Sequence, residues 1–541
     1  MLIRALLRYS GLTLLACTTV GCPAPTPTDA GADTRNDLGV ATDVADDAAR
    51  DATMAGDADA AADVALDTTA NDVAVDSRPG DAGRCGDPAT RPLVRVNADI
   101  TTNTTWRCTN RYQLEGFVFV TGPSADSRTT LTIEPGTIIQ GLAGMRDSGG
   151  AITQLPGALI ISRTARIDAQ GTASEPIVFT SARPAGMRAP ADWGGVALLG
   201  RAPNNTPTGE RPLEGVAASD PRGLYGAPPG MQLATWDCGT LRYVRIEFAG
   251  FEAAPMRELN GLTLGSCGSG TTIDFIQVHQ SSDDGIELFG GTVDLRHAVI
   301  TGAQDDTMDW DFGWAGRAQF IIGQQYERAY SGAGENPDKG IEADSNGSTP
   351  SATPISEPRI SNMTLLGTNS ANSNRGLHLR AGTFGQVVNS IIAGFGAGVI
   401  DVQTTESAIA ARMGRLFVRN SIFTGVGSTL FPSGSNDGAD CFENCTGDGG
   451  APVNLIESDH FLAMAEGNRS IDARLLRPFD PMNPSWVPPS DSPAASGAVV
   501  PFNAMDAGVP DTFFDRTATY IGAIRPGGTD WTAGWCRYDR N

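Results

Sequence analysis

The chain has 541 residues, 62 of them acidic against 39 basic, for a formal net charge of −23. That sign argues against nucleic acid as a partner, because phosphate contacts need a basic face. No segment after residue 21 approaches eighteen consecutive apolar residues, so none of them is expected to cross a membrane as a helix.

At the start, two arginines stand within MLIRALLR, and an apolar stretch then runs from Leu12 to Val20. This is the pattern of an export signal, over residues 1–21. Gly21-Cys22 reads as the end of a lipobox, in which the thiol of Cys22 takes a diacylglyceryl group and becomes the first mature residue. Cys17, in Leu14-Leu15-Ala16-Cys17, is the alternative site. Cys22 is preferred because the chain turns to linker composition straight after it. An ordinary cleaved secretory signal is the plain alternative to a lipid anchor.

Residues 23–84 contain no aromatic residue, no lysine and no glutamate, but fourteen aspartates against four arginines. Such a stretch buries too little apolar surface to offset its ordering entropy and is expected to be disordered. Residues 22–84 therefore read as an anchor cysteine and an acidic tether, which as a flexible coil would span roughly 45 Å. Much of the net charge belongs to this tether and says little about the folded part.

From about residue 90 the chain is rich in Gly, Thr, Val and Ile and carries a repeat of variable period. LRYVRIEFAG from Leu241, IDFIQVHQS from Ile273, LRHAVITG from Leu295, ISNMTLLG from Ile360, VVNSIIAG from Val387 and VRNSIFTG from Val418 align. Short alternating strands at such spacing, with glycine and polar corners and no helix between, predict an all-β parallel β-helix over residues 85–425. A β-sandwich is the rival, but it would place its turn dipeptides between hairpin strands. Residues 426–541 read as the end of the solenoid, with long insertions or a cap.

Further motifs carry a resemblance. They are TLTIEPGTIIQG (130–141), ALIISRTARIDAQGTASEPIVFTSA (158–182), DWGGVALLGRAP (192–203), GTLRYVRIEFAGFE (239–252) and the closing YIGAI and DWTAGW (520–535). With them the chain resembles a family of exported bacterial right-handed parallel β-helix proteins, often lipid-anchored, over roughly residues 90–541. The resemblance implies fold and an outer-membrane location. It implies no activity, and no catalytic residue is carried over from it.

A second strand aligns in four coils: DDGIELF (283–289), DDTMDWD (305–311), DKGIEAD (338–344) and NRGLHLR (374–380). Ile286, Met308, Ile341 and Leu377 should point inward. The polar columns are Asp283, Asp305, Asp338 and Asn374; Asp284, Asp306, Lys339 and Arg375; Glu287, Asp309, Glu342 and His378; and Phe289, Asp311, Asp344 and Arg380. Neighbouring parallel strands lie about 4.8 Å apart, and carboxylates stacked at that distance repel by on the order of 1 kcal/mol per pair even near water.

Three explanations stand side by side. Ca²⁺ suits Asp283, Asp284, Asp305, Asp306, Asp309 and Asp311, since it takes six to eight oxygens in loose geometry. Raised pKa values would leave some acids protonated. Or the acids cap turns and pair with Lys339, Arg375 and Arg380. Glu287, Glu342, Asp344, His378 and Trp314 are the candidate ligand contacts. Trp314 and Phe312 would stack on sugar rings if exposed, whereas Trp310 falls at an inward position.

The function expected first is a non-enzymatic module binding a polysaccharide or envelope partner. The alternatives are a Ca²⁺-dependent polysaccharide lyase or glycoside hydrolase, and a structural or adhesion protein. A lyase would use Lys339, Arg375 or Arg380 as base beside Asp284, Asp306 and Asp309. No nucleophile elbow, zinc-protease motif or phosphate-cradling glycine loop appears, which argues against the commoner hydrolases and nucleotide enzymes. Of the cysteines, Cys85–Cys108, Cys238–Cys267 and Cys441–Cys445 pair most simply, leaving Cys536 over.

Overall fold

A strand that alternates apolar and polar side chains buries one face, and many such strands joined by tight corners bury it best by coiling. The computed structural model describes residues 85–541, apart from 255–256, 332–336, 428–429, 432–444, 447–451, 454, 503–504, 507–508 and 511. Its strands form a parallel β-helix of two long parallel sheets. The signal, Cys17, Cys22 and the tether lie outside the described residues, as do the side chains of Cys441 and Cys445. Cys85–Cys108 and Cys238–Cys267 are disulfides, and Cys536 is a free thiol. Among the described residues, no helix is long and apolar enough to cross a membrane.

One wall is a nine-stranded sheet that ends with Leu262–Gly265, Ile286–Phe289, Met308–Asp311, Ile341–Ala343, Arg375–Leu379 and Gly398–Val402, coil after coil. Ile286, Met308, Ile341, Leu377 and Ile400 form one inward stack and are fully buried. Each such side chain contributes roughly 1.5–3 kcal/mol through burial.

The other wall is a 17-stranded sheet. Its inward column runs Leu241, Ile273, Leu295, Ala318, Ile360, Val387 and Val418. The coil at Arg317–Gln324 is absent from the sequence alignment for a simple reason: alanine stands where the other repeats begin with a large apolar residue. The long strands bend at Tyr243, Phe275, His297, Phe320, Asn362, Asn389 and Asn420, all of which have φ between 48° and 61°. Bulky residues dislike this left-handed region. Here stacking offsets the cost, with ring centroids 4.4 Å apart for Tyr243–Phe275, 4.2 Å for Phe275–His297 and 4.9 Å for His297–Phe320. The asparagines that follow tolerate the conformation on their own.

Residues 426–541 divide. Arg469–Ser470 still pairs with the solenoid at Ile422–Phe423, whereas the described residues of 471–541 run back as a strap over the outside of the 17-stranded sheet. Trp486, Ile521, Ile524 and Trp535 of the strap share an apolar cluster with Tyr243, Phe275, Ile322 and Ile391 of the wall.

Candidate functional site

In three of the four coils the polar turn enters the nine-stranded sheet through a position that must be small, Gly285, Gly340 and Gly376; in the coil from Asp305 the position is Thr307. A Cβ on Gly285 would lie 2.6 Å from the Thr307 carbonyl, and one on Gly340 would lie 2.5 Å from the Gly376 carbonyl. Close approach between coils thus explains the glycine that follows the polar pair. It also fixes the register, so that the side chain two residues further on meets its equivalent in the next coil.

The resulting column is longer than the four aligned segments. It runs Thr263, Glu287, Asp309, Glu342, His378 and Asp401, one residue per strand. In the first half, Asp284, Glu287 and Asp309 bring carboxylate oxygens within 4.8 Å of one another. They are only 2 %, 2 % and 3 % exposed. Asn260 reaches in from the preceding coil, its Nδ2 donating to Glu287 and its Oδ1 buried without a hydrogen bond. Two similar groups lie along the turns, Asp283 with Asp284 and Asp305, and Asp305 with Asp306 and Asp338. Burial, followed by Asp283, Glu287, Asp306 and Asp309, pushes the Asp284 carboxyl well above the usual carboxylate range. This donor set of oxygens alone, with an unsatisfied amide oxygen beside it, fits a hard divalent cation such as Ca²⁺.

The second half of the column is neutralised from within. Lys339 Nζ lies 2.9 Å from Glu342 and also pairs with Asp338. Arg380 pairs with Asp344 at 2.8 Å and with Glu342 at 3.3 Å, and Arg375 pairs with Asp401. His378 sits between two carboxylates, Nδ1 3.5 Å from Glu342 and Nε2 3.7 Å from Asp401. Burial works to raise the Glu342 carboxyl, but His378, Arg380 and Lys339 outweigh it and hold Glu342 below the usual range.

Residues 98–449 match the family model described as a pectate-lyase-like β-helix domain. The chain belongs to this family. Comparison with curated proteins and with solved structures found no match. The span matched by the pectate-lyase-like β-helix domain contains the whole acid column and stops short of the strap.

Several candidate residues stand elsewhere than the sequence suggested. Trp314 is not a sugar platform: it is fully buried, 5.6 Å from Trp310, and its Nε1 donates to the Val293 carbonyl at 3.0 Å. Phe312 is likewise buried, beneath the Arg211 guanidinium. Glu287, Glu342, Asp344 and His378 are buried as well, so the face is no open groove. Asp311 joins none of the three carboxylate groups, and its Oδ1 accepts the Phe312 N–H at 2.6 Å. Asn260 and Asp401 went unnoticed in the sequence. Asp401 extends the column in GVIDV, which lacks the polar pair before the strand, and Asn260 carries no repeat signal at all.

Proposed function

We propose that this chain is a non-enzymatic binding module of the bacterial cell envelope. It is lipid-anchored through Cys22, held off the outer membrane by the acidic tether, and holds Ca²⁺ inside its β-helix wall. Its partner, an envelope polysaccharide or protein, is met by surfaces other than the buried column. The observation that carries the cation reading is the trio Asp284, Glu287 and Asp309, three buried carboxylates with oxygens within 4.8 Å. Carboxylates so far removed from water need protons or a counter-ion.

The lyase alternative is weaker on chemical grounds. A base must shed its own proton before it takes one from a sugar. Burial favours neutral Lys339, but Asp306, Glu342 and Asp338 outweigh that and push its pKa up. Arg380 is raised in the same way: Asp344 and Glu342 outweigh its burial. Arg375 is engaged by Asp401. These three cations neutralise carboxylates.

Thermal melting of the mature protein in Ca²⁺ and in chelator tests this reading. At a calcium concentration a hundred-fold above Kd, the ion should add roughly 2.7 kcal/mol of stability. Asp309→Asn should abolish most of the gain. An unchanged melting temperature would remove the cation site. Turnover of an acidic polysaccharide, lost on Asp306→Ala, would overturn the non-enzymatic reading.

A further inference from the structure

The strap is held in an unusual way. Among its described residues no strand pairs with the wall; the Gly522 N–H donates to the Asn389 carbonyl at 2.8 Å, and elsewhere side-chain amides of the wall read the backbone. Gln277 Nε2 donates to the Arg537 carbonyl at 2.6 Å, and its Oε1 accepts the Arg537 N–H at 2.9 Å. Gln319 does the same with Asp515, accepting at 2.7 Å and donating at 3.3 Å. Asn389 does it with Val499, at 2.9 Å and 2.8 Å. Each clamp offers the N–H and C=O of one residue the acceptor and donor that a neighbouring strand would offer.

The last thirteen residues are held by one further set of contacts. Arg245 Nη1 donates to the Trp535 carbonyl at 2.9 Å, and Gln280 Nε2 donates to the Arg540 carbonyl at 2.9 Å. His279 Nε2 meets the Asp539 carbonyl at 2.9 Å. These bonds are to backbone and are indifferent to sequence. Selectivity comes from Trp535, which is buried and seated edge-on against Tyr243 at 5.6 Å and Phe275 at 6.1 Å. Main-chain hydrogen bonds for affinity, with one pocket for a side chain, are how sheet edges recognise extended peptides.

We propose that the outer wall around Tyr243, Phe275 and Gln277 is a receptor for a peptide that presents a tryptophan from a turn. Its resident occupant is residues 529–541 of the same chain, and the same segment of a second copy can replace it. Those residues form no strand or helix of their own. They join the rest of the strap through the turn at Arg525–Gly528, where Gly527 is exposed and has φ +66°. Their conformation is a turn closed by the Cys536 N–H on the Thr532 carbonyl, and beside the wall it is held by Ala523 and Trp486 of the strap, so release costs the solenoid no ladder bond.

The test is made on the full chain, with a specific protease sequence inserted between Gly527 and Gly528 and cooperative melting checked before cutting. After the cut, the C-terminal fragment should remain bound through gel filtration, and an excess of fluorescent synthetic peptide 529–541 should displace it. A Trp535→Ala peptide should bind at least ~30-fold more weakly, as loss of a buried anchor of this kind does. Gln277→Ala in the wall should weaken binding of the unaltered peptide. A fragment that falls away at once at micromolar concentration, or one that a hundred-fold excess of peptide never displaces, would overturn the proposal. Hydrogen exchange on the uncut Trp535→Ala chain gives an independent reading: exchange should quicken in 529–541 and stay unchanged in the solenoid strands. Equal quickening in both would count against a separable occupant.

Discussion

The Asp284 carboxylate accepts the backbone N–H of Asp306 at 3.0 Å, across the step from one coil to the next. Asp306 repeats the bond one coil on, accepting the Lys339 N–H at 2.6 Å. The acids are therefore turn caps as well as candidate cation ligands, and the two roles can be separated. Asp284→Asn keeps an acceptor and removes the charge, so in chelator it should cost little stability. Asp284→Ala leaves the Asp306 N–H buried and unsatisfied, at about 1–3 kcal/mol. Urea titrations in chelator distinguish the two, and equal losses would rule out the cap.

The same acids give a pH dependence whose sign is opposite to the usual one. Burial first, and then Asp283, Glu287, Asp306 and Asp309, raise the Asp284 carboxyl. Burial and then Asp305, working against Lys339, raise that of Asp306. A carboxyl whose folded pKa lies above its unfolded value of about 3.9 favours the protonated native state. Its stabilisation is complete below that value and is lost as pH rises through the folded one. In chelator, the melting temperature should fall from about pH 4 toward neutrality. With Ca²⁺ present the fall should flatten, since the ion takes the place of the protons. Glu342, shifted downward, adds stability above its unfolded pKa and loses it only in stronger acid. Melting that climbs steadily from pH 4 to 7 in chelator would contradict this assignment.

The lower half of the column makes a different prediction. Asp401 is fully buried and pairs with Arg375. Arg375→Ala leaves that carboxylate with only His378, at 3.7 Å, beside it, which should cost up to about 3–5 kcal/mol. Replacing both partners, Arg375→Met with Asp401→Leu, should recover most of the loss, because neither charge is then stranded. A single-variant loss below 1 kcal/mol, measured by urea unfolding, would mean that water reaches the pair.

How much of this was legible in the sequence depends on what each residue does. The β-helix and the register of Glu287, Asp309, Glu342 and His378 were readable, because alternation with a period of two marks every coil and a glycine follows the polar pair in three of the four. Arg317–Gln324 escaped because Ala318 fills its inward slot, and the solenoid core tolerates alanine where neighbours are large. The burial of Trp314 was not readable, since an aromatic after a turn looks the same whether the chain folds over it or away. The strap has no periodicity at all. Much of its conformation is imposed by Gln277, Gln319 and Asn389, residues 110 to 260 positions away.

The left-handed column offers the sharpest test of the fold. His297 has φ +48° and lies stacked between Phe275 and Phe320, its Nδ1 2.8 Å from Asp274. His297→Phe keeps the stack, and Asp274 retains Arg242 at 3.7 Å, so it should be nearly neutral. His297→Asn suits the backbone but forfeits the stacking, at about 0.5–1.5 kcal/mol. His297→Val loses the stack and also forces a β-branched residue into the left-handed region, adding roughly 1–2 kcal/mol. The expected order of stability is therefore His and Phe together, then Asn, then Val. If valine matched or exceeded asparagine, the bend would be set by the wall's inward packing, and the stacked rings would follow it rather than hold it.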